Sequence, residues 1–216
     1  MEFNKLKIKA SGFYVARSSY YLTHGAINDF NEYTIKKGVN VFRGDIDSEG
    51  WALSYILSMY NPNSVDFIFD RICLSIDEAN VAIEEIKELS CYLDGNNKLF
   101  SSKASVKDQV KEGLKSTNAK CSAEDIRRMF YIDKERFARP IKAVGNEFYK
   151  AMAAIGYSYG KEFFCFPWFS VSLYESFHYH LSLLPNILKD LGKTVILPLG
   201  AGSADLKMDL PRDFSE

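Results

Sequence analysis

The stretch richest in possible chemistry is Gly44 to Ala52, GDIDSEGWA, where Gly44 and Gly50 bracket a polar and acidic loop. A short apolar strand, Val39 to Phe42, runs into it, and beyond it Leu53, Ile56, Leu57 and Tyr60 recur at helical spacing. A strand, a glycine-bounded loop and a helix N-terminus can hold a phosphate on loose backbone N–H groups and the helix dipole. A phosphate loop of the G-x-x-x-x-G-K-S/T kind then needs a lysine followed by a hydroxyl, and here Gly50, Trp51 and Ala52 stand instead. The frame for anion chemistry is present, without the cation and hydroxyl that would run it.

Other chemistry-bearing residues are sparse. His24, His178 and His180 are the only histidines, and two at i, i+2 diverge on a helix, so a metal site would need distant ligands. Cys73, Cys91, Cys121 and Cys165 are scattered without a paired motif and read as reduced and structural. No Gly-x-Ser-x-Gly elbow offers a nucleophile. Lys5, Lys7 and Lys9, and Arg127, Arg128, Lys134, Arg136 and Arg139, are candidate nucleic-acid contacts, although charged and solvated faces account for both clusters.

The elements that must carry these residues belong to an ordinary globular chain. Its 216 residues, 47% hydrophobic and 25% charged, suffice for a full core in one domain or a domain with a subdomain. Lys and Arg number 27 against 28 Asp and Glu, so no bulk positive field draws the chain to nucleic acid or an anionic membrane. The longest apolar run, Phe163 to Val171, falls far short of the roughly 20 residues of a membrane helix, and the N-terminus has no apolar signal core. A cytoplasmic protein without direct membrane insertion is expected.

Leu6 to Val15 and Ala26 to Ile35 read as strands, and Lys36-Lys37-Gly38 as the turn into the strand before the loop. Asn61 to Ser64 is a turn cluster, Val65 to Leu74 one or two short strands, and Asp77 to Leu89 a charged helix or a long connection. Ser90 to Leu93 is a short strand. Helices are expected from Ser105, and again at Ser122 to Phe130, where Ser122 and Asp125 resemble a capping box. Glu147 to Tyr157 is a helix with small residues on one face; Phe163 to Phe169 is a buried, central strand. Glu175 to Asp190 is a helix with Pro185 as a place to kink or split, and Lys193 to Leu199 a second apolar strand. Alternating strands and helices argue for a mostly parallel, helix-covered sheet.

That order of parts resembles the ATPase domain of ATP-binding cassette (ABC) proteins. Tyr33 to Gly38 is similar to the strand end before the family's phosphate loop. Tyr92-Leu-Asp-Gly95, with Leu99-Phe100 and Ser105 to Val110, resembles its Q-loop strand and the start of its helical subdomain. Ala143-Val-Gly-Asn-Glu147 sits where the family carries its LSGGE/Q signature, Lys161 to Phe169 resembles the Walker B strand, and Leu188 to Leu199 the helix and strand before the switch histidine. The resemblance covers nearly the whole chain. It implies an α/β, P-loop NTPase-like core with a mostly parallel sheet, an antiparallel β N-terminal part and, within a single domain spanning 1–216, a helical subdomain at about 96–150.

Most of the family's functional residues do not carry over. The phosphate loop keeps Gly44, but Asp47 and Glu49 fall at glycine positions, the lysine falls at Gly50 and the magnesium-holding hydroxyl at Trp51; Ser48 is the only nearby hydroxyl. Gly44, Asp47, Ser48, Gly50, Trp51 and Ala52 are thus a degenerate phosphate loop, and Tyr20 or Tyr21 stands where the family stacks adenine. The signature-like segment keeps Gly145 and Glu147, with Asn146 at the second glycine and Val144 at the serine. The Walker B aspartate and general base fall at Cys165 and Phe166, the Q-loop glutamine at Gly95 and the switch histidine at Gly200. Trp51, Trp168 and Phe169 are expected to fill the vacated cleft.

The resemblance with these losses implies a catalytically inactive partner or scaffold subunit that binds another ABC-type ATPase, a membrane permease subunit or itself. Gly145, Asn146 and Glu147 would offer a signature-like interface, and a partner would bring the chain to a membrane. No cofactor or metal is expected, ATP with magnesium being weakly supported. A nucleotide-binding regulatory module without hydrolysis and a nucleic-acid-binding diverged ABC fold are the alternatives.

Overall fold

The computed structural model describes residues 4–11, 13–17, 23–27, 31–44, 49–58, 65–68, 71–95, 97–176, 181 and 183–200. In chain order the first strands are Lys5–Ser11 (β1), Phe13–Arg17 (β2), Thr23–Ile27 (β3), Asn31–Lys36 (β4) and Gly38–Arg43 (β5). The helix Glu49–Ser58 (α1) follows, then Val65–Ile68 (β6), Arg71–Ile76 (β7), Ala79–Val81 (β8), the helix Ile83–Leu89 (α2) and Ser90–Tyr92 (β9). The helices Val106–Ser116 (α3), Ala123–Met129 (α4), Lys134–Phe137 (α5) and Phe148–Ser158 (α6) form a helical stretch. Phe163–Cys165 (β10), Val171–Ser176 (α7), Leu183–Asp190 (α8) and Thr194–Leu199 (β11) close the described chain.

β5, β11, β10 and β9 lie side by side in that order, all parallel. Because strand side chains alternate, this sheet feeds two cores. Cys91, Leu93, Phe164, Phe166, Val195 and Leu197 point to α3, α6 and α8, whereas Tyr92, Phe163, Cys165 and Ile196 meet α1 and an antiparallel sheet ordered β4-β1-β7-β8. A third sheet, β3-β2-β6, is also antiparallel. On β1 the alternation is plain: Leu6, Ile8 and Ala10 are buried, while Lys5 and Lys9 pair with Glu78 (2.6 Å) and Glu32 (2.9 Å), and Lys7 reaches both.

Small residues let α6 approach its neighbours. A Cβ on Gly156 would lie 2.8 Å from Cys91 Sγ, and one on Gly113 of α3 would lie 2.2 Å from Ser158 Oγ. The expected capping box is present at α4, where Ser122 Oγ accepts from Asp125 N (3.2 Å) and Asp125 Oδ2 accepts from Ser122 N (2.9 Å).

Several expected boundaries move. Leu6 to Val15 falls in two strands, Lys5–Ser11 and Phe13–Arg17, that belong to different sheets. Ala26 to Ile35 likewise belongs to β3 and β4 of separate sheets. Asp77 and Glu78 form a left-handed turn (φ 45° and 72°), which Asp77 holds by accepting from Asn4 N and Lys5 N at 3.0–3.2 Å. Helix therefore begins only at Ile83, after a hairpin through β8. β10 is interior, as expected, but ends at Cys165, short of Pro167, which has no N–H to give a ladder. The helix α8 continues through Pro185 without a split. The turn expected at Asn61 to Ser64 lies outside the described residues.

Candidate functional site

The carboxyl ends of parallel strands are where α/β folds collect their ligands, and here that edge is covered with aromatic side chains. At the end of β5, Gly44 N donates to Leu199 O (2.9 Å), tying the loop to β11. Gly44 O in turn accepts from the indole Nε1 of Trp168 (2.9 Å). The other end of the loop is fixed by contact. A Cβ placed on Gly50 would lie 2.4 Å from Phe42 Cβ, so glycine is required for α1 to sit this close to β5.

Trp51 projects from the first turn of α1 across the sheet edge. Its Nε1 donates to Tyr92 Oη (3.1 Å), and its ring stacks on Trp168, with centroids 6.5 Å apart at 27°. Tyr55, one turn further on, lies 5.8 Å from Trp51 and 5.2 Å from Tyr92. Burial, with Tyr55 beside it, holds the Tyr92 phenol well above its usual range. Ala52 is fully buried. Glu49 turns to the antiparallel sheet, where its Oε1 accepts from Asn31 Nδ2 (3.0 Å).

The structure therefore brings Gly44, Gly50, Trp51 and Trp168 together. Phe169 lies instead in a second aromatic group with Phe166, Tyr149 and Tyr174, at centroid distances of 5.5–6.4 Å. Asp47, Ser48, Tyr20, Tyr21, His178 and His180 lie outside the described residues, and His24 falls in β3. Cys165 and Phe166 are completely buried, and burial pushes the Cys165 thiol well up. Gly95 is backed by Phe148, whose Cζ would lie 2.6 Å from an added Cβ. Gly200 N donates to Phe169 O (2.9 Å).

Gly145, Asn146 and Glu147 form one turn of 3-10 helix leading into α6. Gly145 has φ 63°, a glycine conformation, with open space where a side chain would point. Glu147 is buried; its Oε2 accepts from Asp133 N (3.1 Å) and its Oε1 lies 3.9 Å from Arg136 Nη1, which also donates to Asn146 Oδ1. The basic clusters are interleaved with carboxylates: Arg127 and Arg128 share Glu124, and Arg139 faces Glu135. Among the described residues there is no group of three or more His, Cys, Asp or Glu arranged to hold a metal. None of the described helices is long and apolar enough to cross a membrane.

The sequence singled out Trp51 and Trp168 but missed their partners. Tyr55, four residues after Trp51 and so on the same helix face, carried a readable signal. Tyr92, Phe42 and Phe148 carried none, since only the sheet order places them there.

No protein-family model and no curated protein matches the sequence. Solved structures do match the fold. CbiO1 from Clostridium perfringens, part of the ABC transporter complex CbiONQ, is 17% identical over 92% of this chain and 79% of its own, with a TM-score of 0.51. An ABC transporter ATP-binding protein from Pyrococcus furiosus is 16% identical over 89% of this chain and 90% of its own, with a TM-score of 0.53. The ATP-binding cassette MJ0796, solved as a dimer in a post-hydrolysis state with ADP and phosphate, is 10% identical over 90% and 87%, with a TM-score of 0.59. At such identities the likeness shows the fold.

Proposed function

We propose that this chain, whose fold is that of ABC transporter ATP-binding domains, is a catalytically inactive member of that architecture that works as a partner or scaffold subunit of a transporter or an ATPase heterodimer. One observation carries the reading. Where a phosphate loop would leave the strand and enter the helix, Gly50 is pressed on Phe42, the Trp51 ring stacks on Trp168, and the Trp168 indole donates to Gly44 O.

The residues present do not fit a magnesium nucleotide. Phosphoryl transfer on such a loop relies on a lysine at the outer phosphates and a hydroxyl and an aspartate on the metal. Any side chain at Gly50 meets Phe42. Trp51 donates its only polar hydrogen to Tyr92 and has no acceptor for a metal. Cys165 and Phe166 are sealed in the core and can neither bind magnesium nor take a proton from water.

A partner role is supported by the relatives, one of which is part of a transporter complex and another a dimer. Gly145 and Asn146, exposed on a helical subdomain at about 96–150, would face such a partner, either an active ABC-type ATPase, a permease subunit or a second copy, whereas Glu147 of the expected interface is buried and holds Asp133 N from within. The protein would then be cytoplasmic and reach a membrane through that partner. Release of phosphate from ATP with magnesium tests the reading: none above buffer is expected. Magnesium-dependent turnover that Trp51→Asp or Gly50→Arg abolishes would overturn it, and binding without turnover would make the chain a nucleotide-dependent regulator.

A further inference from the structure

The helix α3 keeps its apolar side to the core and offers water a row of lysines. Val106, Gln109, Val110, Gly113 and Leu114 are buried, whereas Lys107, Lys111 and Lys115 are exposed. At a spacing of four residues the three lysines share one helix face, each about 6 Å along the axis from the next. Exposed Lys103 and Lys120 stand just before and just after the helix in the chain. Between Lys103 and Lys120 there are thus five lysines against two carboxylates, Asp108 and Glu112, in a chain whose net charge is −1.

Neither carboxylate serves these lysines. Asp108 Oδ2 accepts from Ser105 Oγ (2.7 Å) at the helix N-cap, and Glu112 lies beside Tyr159, whose phenol is held above its usual range by burial and then by this carboxylate. Elsewhere the exposed cations are matched: Lys5, Lys7 and Lys9 meet Glu32 and Glu78, Arg127 and Arg128 meet Glu124, and Arg139 meets Glu135. Among the described residues no carboxylate pairs with Lys103, Lys107, Lys111, Lys115 or Lys120. Like charges four residues apart weaken a helix, and no ion pair within the described chain offsets that cost in α3. The surroundings sort the partners. The exposed large hydrophobic residues of the described chain are Met129, Tyr131 and Leu173, none of them on α3, so this face has neither a stacking platform for unpaired bases nor an aromatic anchor for a protein interface. No arginine stands between Lys98 and Lys120 to grip a nucleic-acid phosphate with two hydrogen bonds. A row of point charges on one convex helix face suits a flat anionic surface, to which each lysine is drawn by charge alone.

We infer that the face of α3 bearing Lys107, Lys111 and Lys115 lies against the anionic headgroups of a lipid bilayer, adsorbed without insertion, a contact that rests on the reading of the chain as a transporter subunit.

The test is sedimentation of the full chain, at low ionic strength, with sucrose-loaded vesicles of phosphatidylcholine alone or mixed with phosphatidylglycerol. Binding to the mixed vesicles only is expected, and it should fall as added salt screens the charges. Lys107→Gln, Lys111→Gln and Lys115→Gln together should lower the partition coefficient about a hundredfold. Their melting temperature should stay unchanged, since glutamine matches lysine in helix propensity, which separates lost adsorption from lost folding. The same exchange at Lys5, Lys7 and Lys9 alters the net charge equally but removes lysines that are already paired, and it should leave partition nearly unchanged. No binding to the mixed vesicles, equal binding to both kinds, equal losses from the two triple variants, or tighter binding to random duplex DNA than to the mixed vesicles would overturn the inference. Magnesium-dependent ATP turnover would count against the proposed function and leave these results untouched.

Discussion

The contact between Gly50 and Phe42 makes a prediction whose sign discriminates. In an unconstrained helix, Gly50→Ala would stabilise α1 by about 0.8–1.0 kcal/mol through backbone entropy. Here the new Cβ would stand 2.4 Å from Phe42 Cβ, whereas carbon pairs rest at about 3.5–4.0 Å. Relief needs a shift of more than about 1 Å between α1 and β5, and overpacking of this kind costs roughly 1–3 kcal/mol or more. The clash should win, leaving a net loss of about 1–2 kcal/mol and a melting temperature lower by about 2–8 °C. Thermal melts and urea titrations would measure it. Phe42→Gly removes the obstructing atom, so in that background Gly50→Ala should become stabilising. A neutral or stabilising Gly50→Ala in the natural chain, or the same effect in both backgrounds, would refute the reasoning. By the same geometry, lysine introduced at position 50 alone should not create a working phosphate loop.

Two further outcomes follow from burial. Cys73 is exposed, whereas Cys91 and Cys165 are fully buried and burial lifts the Cys91 thiol to about 12; a thiol reagent at pH 8 should therefore label Cys73 at once and Cys91 and Cys165 only as the chain unfolds, as mass spectrometry of labelled peptides would show. Alkali should destabilise the fold, because burial raises the Cys91 thiol from 9.0 and the Tyr149 phenol from 10.0, each to about 12. Groups with a raised folded value lend stability that is complete below the unfolded value and lost as pH climbs to the folded one. Urea midpoints should hold up to about pH 9 and then fall, each group contributing up to about 1.4 kcal/mol per pH unit.

The parallel core was readable because its strands are apolar on both faces: Phe163 to Cys165 and Thr194 to Leu199 feed two cores, and each is a nearly unbroken hydrophobic run. The antiparallel part was harder. Apolar residues continue on both sides of Gly12, and only pairing in space shows that β1 and β2 belong to different sheets. At the site, the sequence exposed what the loop lacks, but not what replaced it. Trp168 reaches Gly44 across 124 positions, and Phe42 and Phe148 occupy the space beside Gly50 and Gly95. These are long-range packing facts, outside the reach of any local pattern. The left-handed turn at Tyr131 (φ 49°), which closes α4 through Tyr131 N to Arg128 O and Ile132 N to Arg127 O, was hidden for a different reason, since no glycine or asparagine marks it.

The central claim is that Gly44 and Gly50 to Ala52 serve packing against Phe42, Tyr92 and Trp168 and not the binding of a nucleotide's phosphates. Calorimetric titration of the full chain with ATP and magnesium tests it most directly. The account predicts no saturable heat at millimolar nucleotide; a saturable, magnesium-dependent heat that Gly44→Val removes would contradict it.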